Sequence, residues 1–291
     1  MTIDETISDR RVNVGDVDLA VIEAGAGGRP LLIVHGYTGR AADFADFVEP
    51  LAAAGWHVVA PDLRGHGASS KPTSESDYSL DLFATDLIGL ADQVGFEHFV
   101  VLGHSMGGMI TQQLVLAHPD RIDGVILMDT GHGALDVDPA LIELGVTVAR
   151  NDGIDVVADL MAAMDDDPLT TDAYRRKVAE DPSYAARGDR NLRACSAAMF
   201  AAMLQQIPEQ TDRLDRLGAI AAPTLVLVGE EDTPFRDPSE RMAAAIPDAQ
   251  LVVLPGGGHS PQFEAPEAWW AAVSTFLDQV SVSLTASAAP S

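Results

Sequence analysis

The chain predicts an α/β fold: an open, mostly parallel sheet of about eight strands with helices on both faces. Three observations predict it. Runs such as "PLLIVHG" (30–36), "HFVVLGHS" (98–105), "GVILMDT" (124–130) and "PTLVLVG" (223–229) are apolar almost throughout, as strands covered on both faces must be. Between them lie segments whose apolar residues recur at helical spacing, as parallel crossovers require. The rhythm breaks once, over 131–218, where no strand-like run appears and the sequence reads as helical.

In chain order, "VNVGDVDLAVIEAG" (12–25) reads as a two-stranded hairpin and 30–36 as the next strand. Residues 41–56 read as a helix, "HVVAPDL" (57–63) as a strand, and 79–95 as an amphipathic helix. A strand over 98–105, a helix over 106–119 and a strand over 124–130 complete the first half. After the break come a strand at 223–229, a helix near 238–246, a strand at 249–256 and a helix near 266–280. The expected domains are a core of 1–130 and 219–280, a helical cap of 131–218 inserted after the sixth strand, and a disordered small-residue tail, 281–291. An insertion at the carboxyl end of a parallel strand overlies the crevice where such sheets bind ligands, so the cap reads as a lid.

Composition narrows the function. The chain has 291 residues and is 47% hydrophobic, enough for one large core. Its formal charge of -26 argues against nucleic acid or an anionic membrane surface, which need a positive footprint. No run reaches the roughly 18 apolar residues of a membrane span. "MTIDETISDRR" lacks the basic start and apolar middle of a secretory signal, and the one cysteine, Cys195, makes no internal disulfide. The expectation is a soluble, cytoplasmic protein; its oligomeric state is not legible.

The chemistry centres on "VLGHSMGGMI" (101–110). Gly103-His104-Ser105-Met106-Gly107 matches G-x-S-x-G between a strand and a helix, the context of a nucleophile elbow. Such a turn strains its central residue and lifts the hydroxyl above the sheet. The flanking glycines remove Cβ atoms that would clash, and Gly108 lets the helix pack closely. A serine needs a base. Of eight histidines, His259 stands on the glycine-rich loop "LPGGGHSPQFEAPE", which leaves the same sheet edge as Ser105. The base needs a carboxylate. Asp232, in "LVLVGEEDTPFRDP", is the preferred acid and Asp129, in "VILMDT", the rival. The backbone amides of Met106 and Tyr37 are the expected oxyanion donors. The order Ser105, Asp232, His259 on an open parallel sheet separates this arrangement from other serine hydrolases.

"HGYTG", "PDLRGHGASS", "GHSMGG", "GEEDTPF" and "GGGHSPQFEAPE" stand where the α/β-hydrolase fold family has its motifs, and the chain resembles that family over about 10–280. Within it, the chain is similar to small bacterial esterases, lactonases, cofactor-free peroxidases and carbon–carbon bond hydrolases. The resemblance implies that Asp62, Arg64 and His66 form a structural loop, with Arg64 bonded to nearby backbone. Relatives that open epoxides or remove halides use an aspartate nucleophile, against which Ser105 argues.

The expected activity is hydrolysis of a small, apolar carboxylic ester or lactone through an acyl-enzyme, with no cofactor and no metal. Carbon–carbon bond hydrolysis, or cofactor-free peroxidase or perhydrolase activity, by the same triad is the near alternative; a non-catalytic receptor is the distant one. Tyr37, Met199, Phe200 and Met203 are candidate substrate contacts. A helix over 192–207 would place the last three with Cys195 at compatible spacing, either as a pocket roof or as ordinary packing. Met161 and Met164 fall elsewhere in the insertion, and Cys195 reads as an inert packed residue.

Overall fold

The computed structural model describes residues 10–163 and 170–287. Its strands are β1 (Arg11–Asn13), β2 (Asp18–Ala24), β3 (Arg29–Val34), β4 (Trp56–Pro61), β5 (Phe99–His104), β6 (Ile122–Met128), β7 (Thr224–Gly229) and β8 (Gln250–Leu254). They form one eight-stranded sheet in the order β1-β2-β4-β3-β5-β6-β7-β8. β1 and β2 pair antiparallel, as do β2 and β4; every other pairing is parallel. The mostly parallel sheet of the sequence reading is therefore the sheet observed.

The helices are α1 (Ala45–Ala53), α2 (Leu80–Gln93), α3 (Met106–Ala117), α4 (Pro139–Asn151), α5 (Ile154–Ala162), α6 (Asp172–Glu180), α7 (Ser183–Arg193), α8 (Ala197–Gln206), α9 (Leu214–Leu217), α10 (Thr233–Ala245), α11 (Pro261–Glu264) and α12 (Pro266–Ser287). Strand pleating sorts apolar side chains onto two faces. Phe99 and Val101 of β5 join Phe83, Leu87, Ile110 and Met242 of α2, α3 and α10. Val100 and Leu102 point the other way, towards Leu51 of α1 and Trp269 and Phe276 of α12. Trp56 and Trp269 are buried on this second face, and Trp270 packs against it, stacked on Phe47 at 6.1 Å. None of the described helices is long and apolar enough to cross a membrane.

Several boundaries differ from the sequence reading: the helix expected near 238–246, for one, begins at Thr233, and three others differ as well. The helix expected over 41–56 is a short 3₁₀ turn (Ala41–Phe44) followed by α1, which stops before Gly55; that residue takes a φ of 91°, a left-handed stop. The helix expected over 192–207 is two helices, α7 and α8, broken at Ala194–Ser196. Ser196 begins the second: its side chain accepts from the Met199 amide, and its own amide donates to Gly65 O at 2.7 Å. Residues 281–287, expected as tail, continue α12 as helix; residues 288–291 and Met164 lie outside the described residues.

Helices α4 to α9 fall between β6 and β7. They meet the core along the loops that follow the carboxyl ends of the strands. Asn191 of α7 donates to Asp43 at 2.9 Å, and Glu231 after β7 accepts from the Ala173 amide and from Arg176 of α6, each at 2.6 Å. Tyr184 of α7 donates to Glu264 at 3.2 Å.

Candidate active site

Ser105 joins β5 to α3 with φ 54° and ψ −121°, a conformation L-residues rarely adopt. The neighbouring chain leaves no room for side chains on either side. A Cβ at Gly103 would meet Gly107 and Thr111, one at Gly107 would meet the Val34 and His35 carbonyls, and one at Gly108 would meet Thr130. The serine backbone is held at both ends: its amide donates to Met128 O at 2.9 Å, and Thr130 Oγ1 donates to its carbonyl at 2.7 Å.

Three residues far apart in sequence converge here. Ser105 Oγ lies 3.0 Å from His259 Nε2, and His259 Nδ1 lies 3.0 Å from Asp232 Oδ2. With Asp232 facing Nδ1, that nitrogen carries the proton and Nε2 is left to accept from the serine hydroxyl. The Asp232 side chain has no solvent exposure and that of His259 is 12% exposed. Burial pushes the Asp232 carboxyl up, but the facing His259 outweighs it and holds the group below the usual range. Of the two candidate acids, then, Asp232 is bonded to His259. Asp129 lies behind it and accepts from the Gly229 amide at 2.8 Å.

Several supporting residues carried no sequence signal. Glu264 Oε2 accepts from the amides of Gly258 and Ser260, at 2.7 and 3.3 Å, and so clasps the loop on both sides of His259. His104 Nε2 lies 2.7 Å from the His259 carbonyl. Burial, then His259 itself, pushes the His104 pKa down to about 3, so the neutral ring donates its single N–H there. Phe235 stacks on the His259 ring at 5.0 Å.

The loop after β3 lies beside the serine: a Cβ at Gly36 would sit 3.1 Å from Ser105 Cβ. Among the described residues, neither the Tyr37 nor the Met106 amide donates to a protein acceptor, so both are free to meet a developing oxyanion. His35 holds this loop through Gly36 O at 2.8 Å while accepting from the Leu63 amide at 3.0 Å. His66 Nε2 reaches Tyr37 O at 2.6 Å. The Tyr37 phenol donates to Phe200 O at 2.5 Å, and its ring stacks on Phe200 at 5.2 Å.

The candidate substrate contacts divide. Tyr37 is half-buried beside the serine, whereas Met199 and Met203 have no exposed surface and Phe200 has 4%. Met199 presses on Gly65, and the three belong to the apolar cluster of α2 and α3. In this conformation they are packing rather than pocket wall. Cys195 is buried in the same region, which pushes its thiol pKa up to about 12. Arg64 bonds the Asp77 carbonyl at 2.9 Å but chiefly grips Asp86 through two contacts, at 2.5 and 2.6 Å. Asp62 accepts from the amides of Ala41 and Ala68. The Asp62–Arg64–His66 cluster thus shapes the loops around the serine.

Comparison with known proteins agrees with this architecture. A profile of the alpha/beta hydrolase fold family matches residues 29–266. A 2-hydroxy-6-oxononadienedioate/2-hydroxy-6-oxononatrienedioate hydrolase of Cupriavidus pinatubonensis is 31% identical over 290 residues, covering 94% of this chain and 97% of its own. Among solved structures, a thermophilic esterase from Thermogutta terrifontis superposes with a TM-score of 0.78 at 30% identity, covering 93% of this chain and 99% of that one. Est816, described as an N-acyl homoserine lactone degrading enzyme, superposes with a TM-score of 0.75 at 27% identity, covering 92% of this chain and all (100%) of that one.

Proposed function

Since the chain belongs to the α/β-hydrolase family and is an enzyme of that family, we propose that it hydrolyses a small carboxylic ester or lactone through an acyl-enzyme on Ser105. The observation that carries this reading is the continuous hydrogen-bond chain from Asp232 through His259 to Ser105. His259 Nε2 takes the hydroxyl proton as Ser105 attacks the carbonyl carbon. The ester bond breaks and the same proton goes to the leaving alcohol. A water then attacks the acyl carbon, giving its proton to His259, and Ser105 leaves with that proton restored. Asp232 holds the imidazole in the required tautomer and stabilises its cation. The Tyr37 and Met106 amides bind the oxyanion of both tetrahedral intermediates, each donor worth roughly 10²–10³ in rate. Helices α4 to α8 act as a lid, fastened to the strand-end loops by the Asn191, Ala173, Arg176 and Tyr184 contacts.

The esterase and lactone-degrading neighbours, at 30% and 27% identity, favour an ester or lactone. The relative from Cupriavidus, matched over 94% of this chain, favours a second reading, cleavage of a carbon–carbon bond beside a ketone by the same three residues. Product analysis separates them: an acid and an alcohol (or an opened hydroxy acid) in the first case, two carbon fragments in the second. The triad reading has its own test. Ser105→Ala should abolish turnover of chromogenic short-chain esters and labelling by a fluorophosphonate, with the melting temperature retained. Wild-type turnover by that variant refutes the mechanism.

A further inference from the structure

Behind the His259–Asp232 pair lies a carboxyl that the proposed reaction does not use. Asp129 follows β6 with a φ of 46°, a left-handed conformation that suits glycine, asparagine and aspartate. Its amide donates to Leu227 O at 2.9 Å and its Oδ1 accepts from the Gly229 amide at 2.8 Å, so backbone and side chain are both pinned to β7. The residue has no solvent exposure. Two oxygens are then left over: Asp129 Oδ2 and Asp232 Oδ1 are buried, and neither meets a donor among the described residues. The two carboxyls nevertheless lie side by side, with an oxygen of each within 4.8 Å of the other. One side-chain atom each from Asp129, Asp232 and His259 lie within 4.8 Å of one another.

Two buried carboxylates so close repel, and ionising both is strongly disfavoured. A single proton between them removes the repulsion and gives both stranded oxygens a partner. Its location follows from the surroundings. Asp232 faces His259, which favours charge on Asp232, while His104 at the end of β5 is neutral. The charges acting on Asp129 are those of Asp232 and of Glu264 on α11, both acidic. Burial first, then the Asp232 charge, holds the Asp129 carboxyl well above the usual range.

We propose that Asp129 is a positioning residue: it remains a neutral acid and donates a hydrogen bond to Asp232 Oδ1. Asp232 is then held at both oxygens, Oδ1 by Asp129 and Oδ2 by His259, and cannot rotate away from the imidazole. The proposal rests on the Ser105–His259–Asp232 reading above.

The test compares Asp129→Asn, Asp129→Leu and Ser105→Ala, using kcat, KM and the pH profile of kcat/KM on a chromogenic ester. Asparagine suits the left-handed backbone, offers N–H to Asp232 and keeps an oxygen for the Gly229 amide. Its kcat should stay within about threefold of wild type, with the acid limb of the profile unmoved. Leucine fills the same space but offers no donor. Its kcat should fall about tenfold or more with KM little changed, a loss of the order a hydrogen bond to a charged group carries. Its acid limb should move to higher pH, because Asp232 without its donor holds the proton of the Asp–His pair more tightly. An ionised Asp129 predicts the opposite sign: both variants lose a negative charge, and both acid limbs move to lower pH. That result, or a wild-type profile for Asp129→Leu, overturns the proposal. If the leucine variant does not fold, asparagine decides, since a large loss there overturns the proposal and retention supports it. An inactive Ser105→Ala beside an Asp129→Leu indistinguishable from wild type sinks this inference alone, whereas an active Ser105→Ala sinks the triad reading beneath it.

Discussion

Replacing Asp232 by asparagine removes one charge while conserving shape, and its cost can be worked from the geometry. In wild type the carboxylate, with no solvent exposure, lies 3.0 Å from His259 Nδ1. Two unit charges whose centres are about 4 Å apart attract by about 4 kcal/mol at an effective dielectric near 20. That attraction exists only once the imidazole is a cation, which is its state near each tetrahedral intermediate. Losing it slows the chemical steps about 10³-fold. The amide adds a second penalty. If its NH₂ faces Nδ1, the ring proton shifts to Nε2, and the base can no longer accept from Ser105; a buried triad aspartate in the best-known serine protease costs about 10⁴ this way. We therefore expect kcat to fall about 10³–10⁴-fold with KM little altered. The assay is steady-state hydrolysis of p-nitrophenyl butyrate, with circular dichroism melting as the control for folding. An Asp232→Asn variant within about tenfold of wild type, beside an inactive Ser105→Ala, refutes the assignment of Asp232 as the partner of His259.

Three further outcomes follow from individual residues. Because Asp129 keeps its proton in the fold and loses it at ordinary pH when unfolded, the native state binds more protons than the unfolded one above the usual value of 3.8. Stability drawn from this group is therefore lost as pH rises from about 4, and the melting temperature of Asp129→Asn should gain on wild type between pH 4 and pH 8. Gly188 lies within α7, and a Cβ there meets nothing within 4 Å. Gly188→Ala should stabilise by about 0.5–1 kcal/mol, seen as a rise of about 1–3 °C in thermal melting. Cys195, buried with its pKa pushed up to about 12, should resist a disulfide reagent at pH 7.5 in the native protein and react fully in denaturant.

The legible parts of this protein were those whose chemistry is local. Continuous apolar runs located the strands because parallel strands are covered on both sides. Ser105 was found because an elbow this tight demands glycine at 103, 107 and 108. His259 and Asp232 could be expected near it because both follow strands at the edge where Ser105 emerges. What escaped depends on distant partners. The break at Ala194–Ser196 is made by a serine cap and by a bond to Gly65, more than a hundred positions earlier. Met199 and Met203 carry a spacing that fits a pocket roof and a packed core equally, and only the neighbours decide. His104 bonds to the His259 loop from 155 positions earlier. The relation between Asp129 and Asp232 is a matter of which carboxyl faces the imidazole, a question of side-chain direction.

The placement of the aromatic side chains has an optical consequence. The chain has three tryptophans, at 56, 269 and 270, all on the α1 and α12 side of the sheet, and none between 57 and 268. Intrinsic emission therefore reports whether that layer is intact and little else. A flat fluorescence titration with a trial compound would say nothing about occupancy above Ser105, and a shift would signal loss of the core instead. A signal from residues 131–218 calls for a dye or a fluorine label placed there by design.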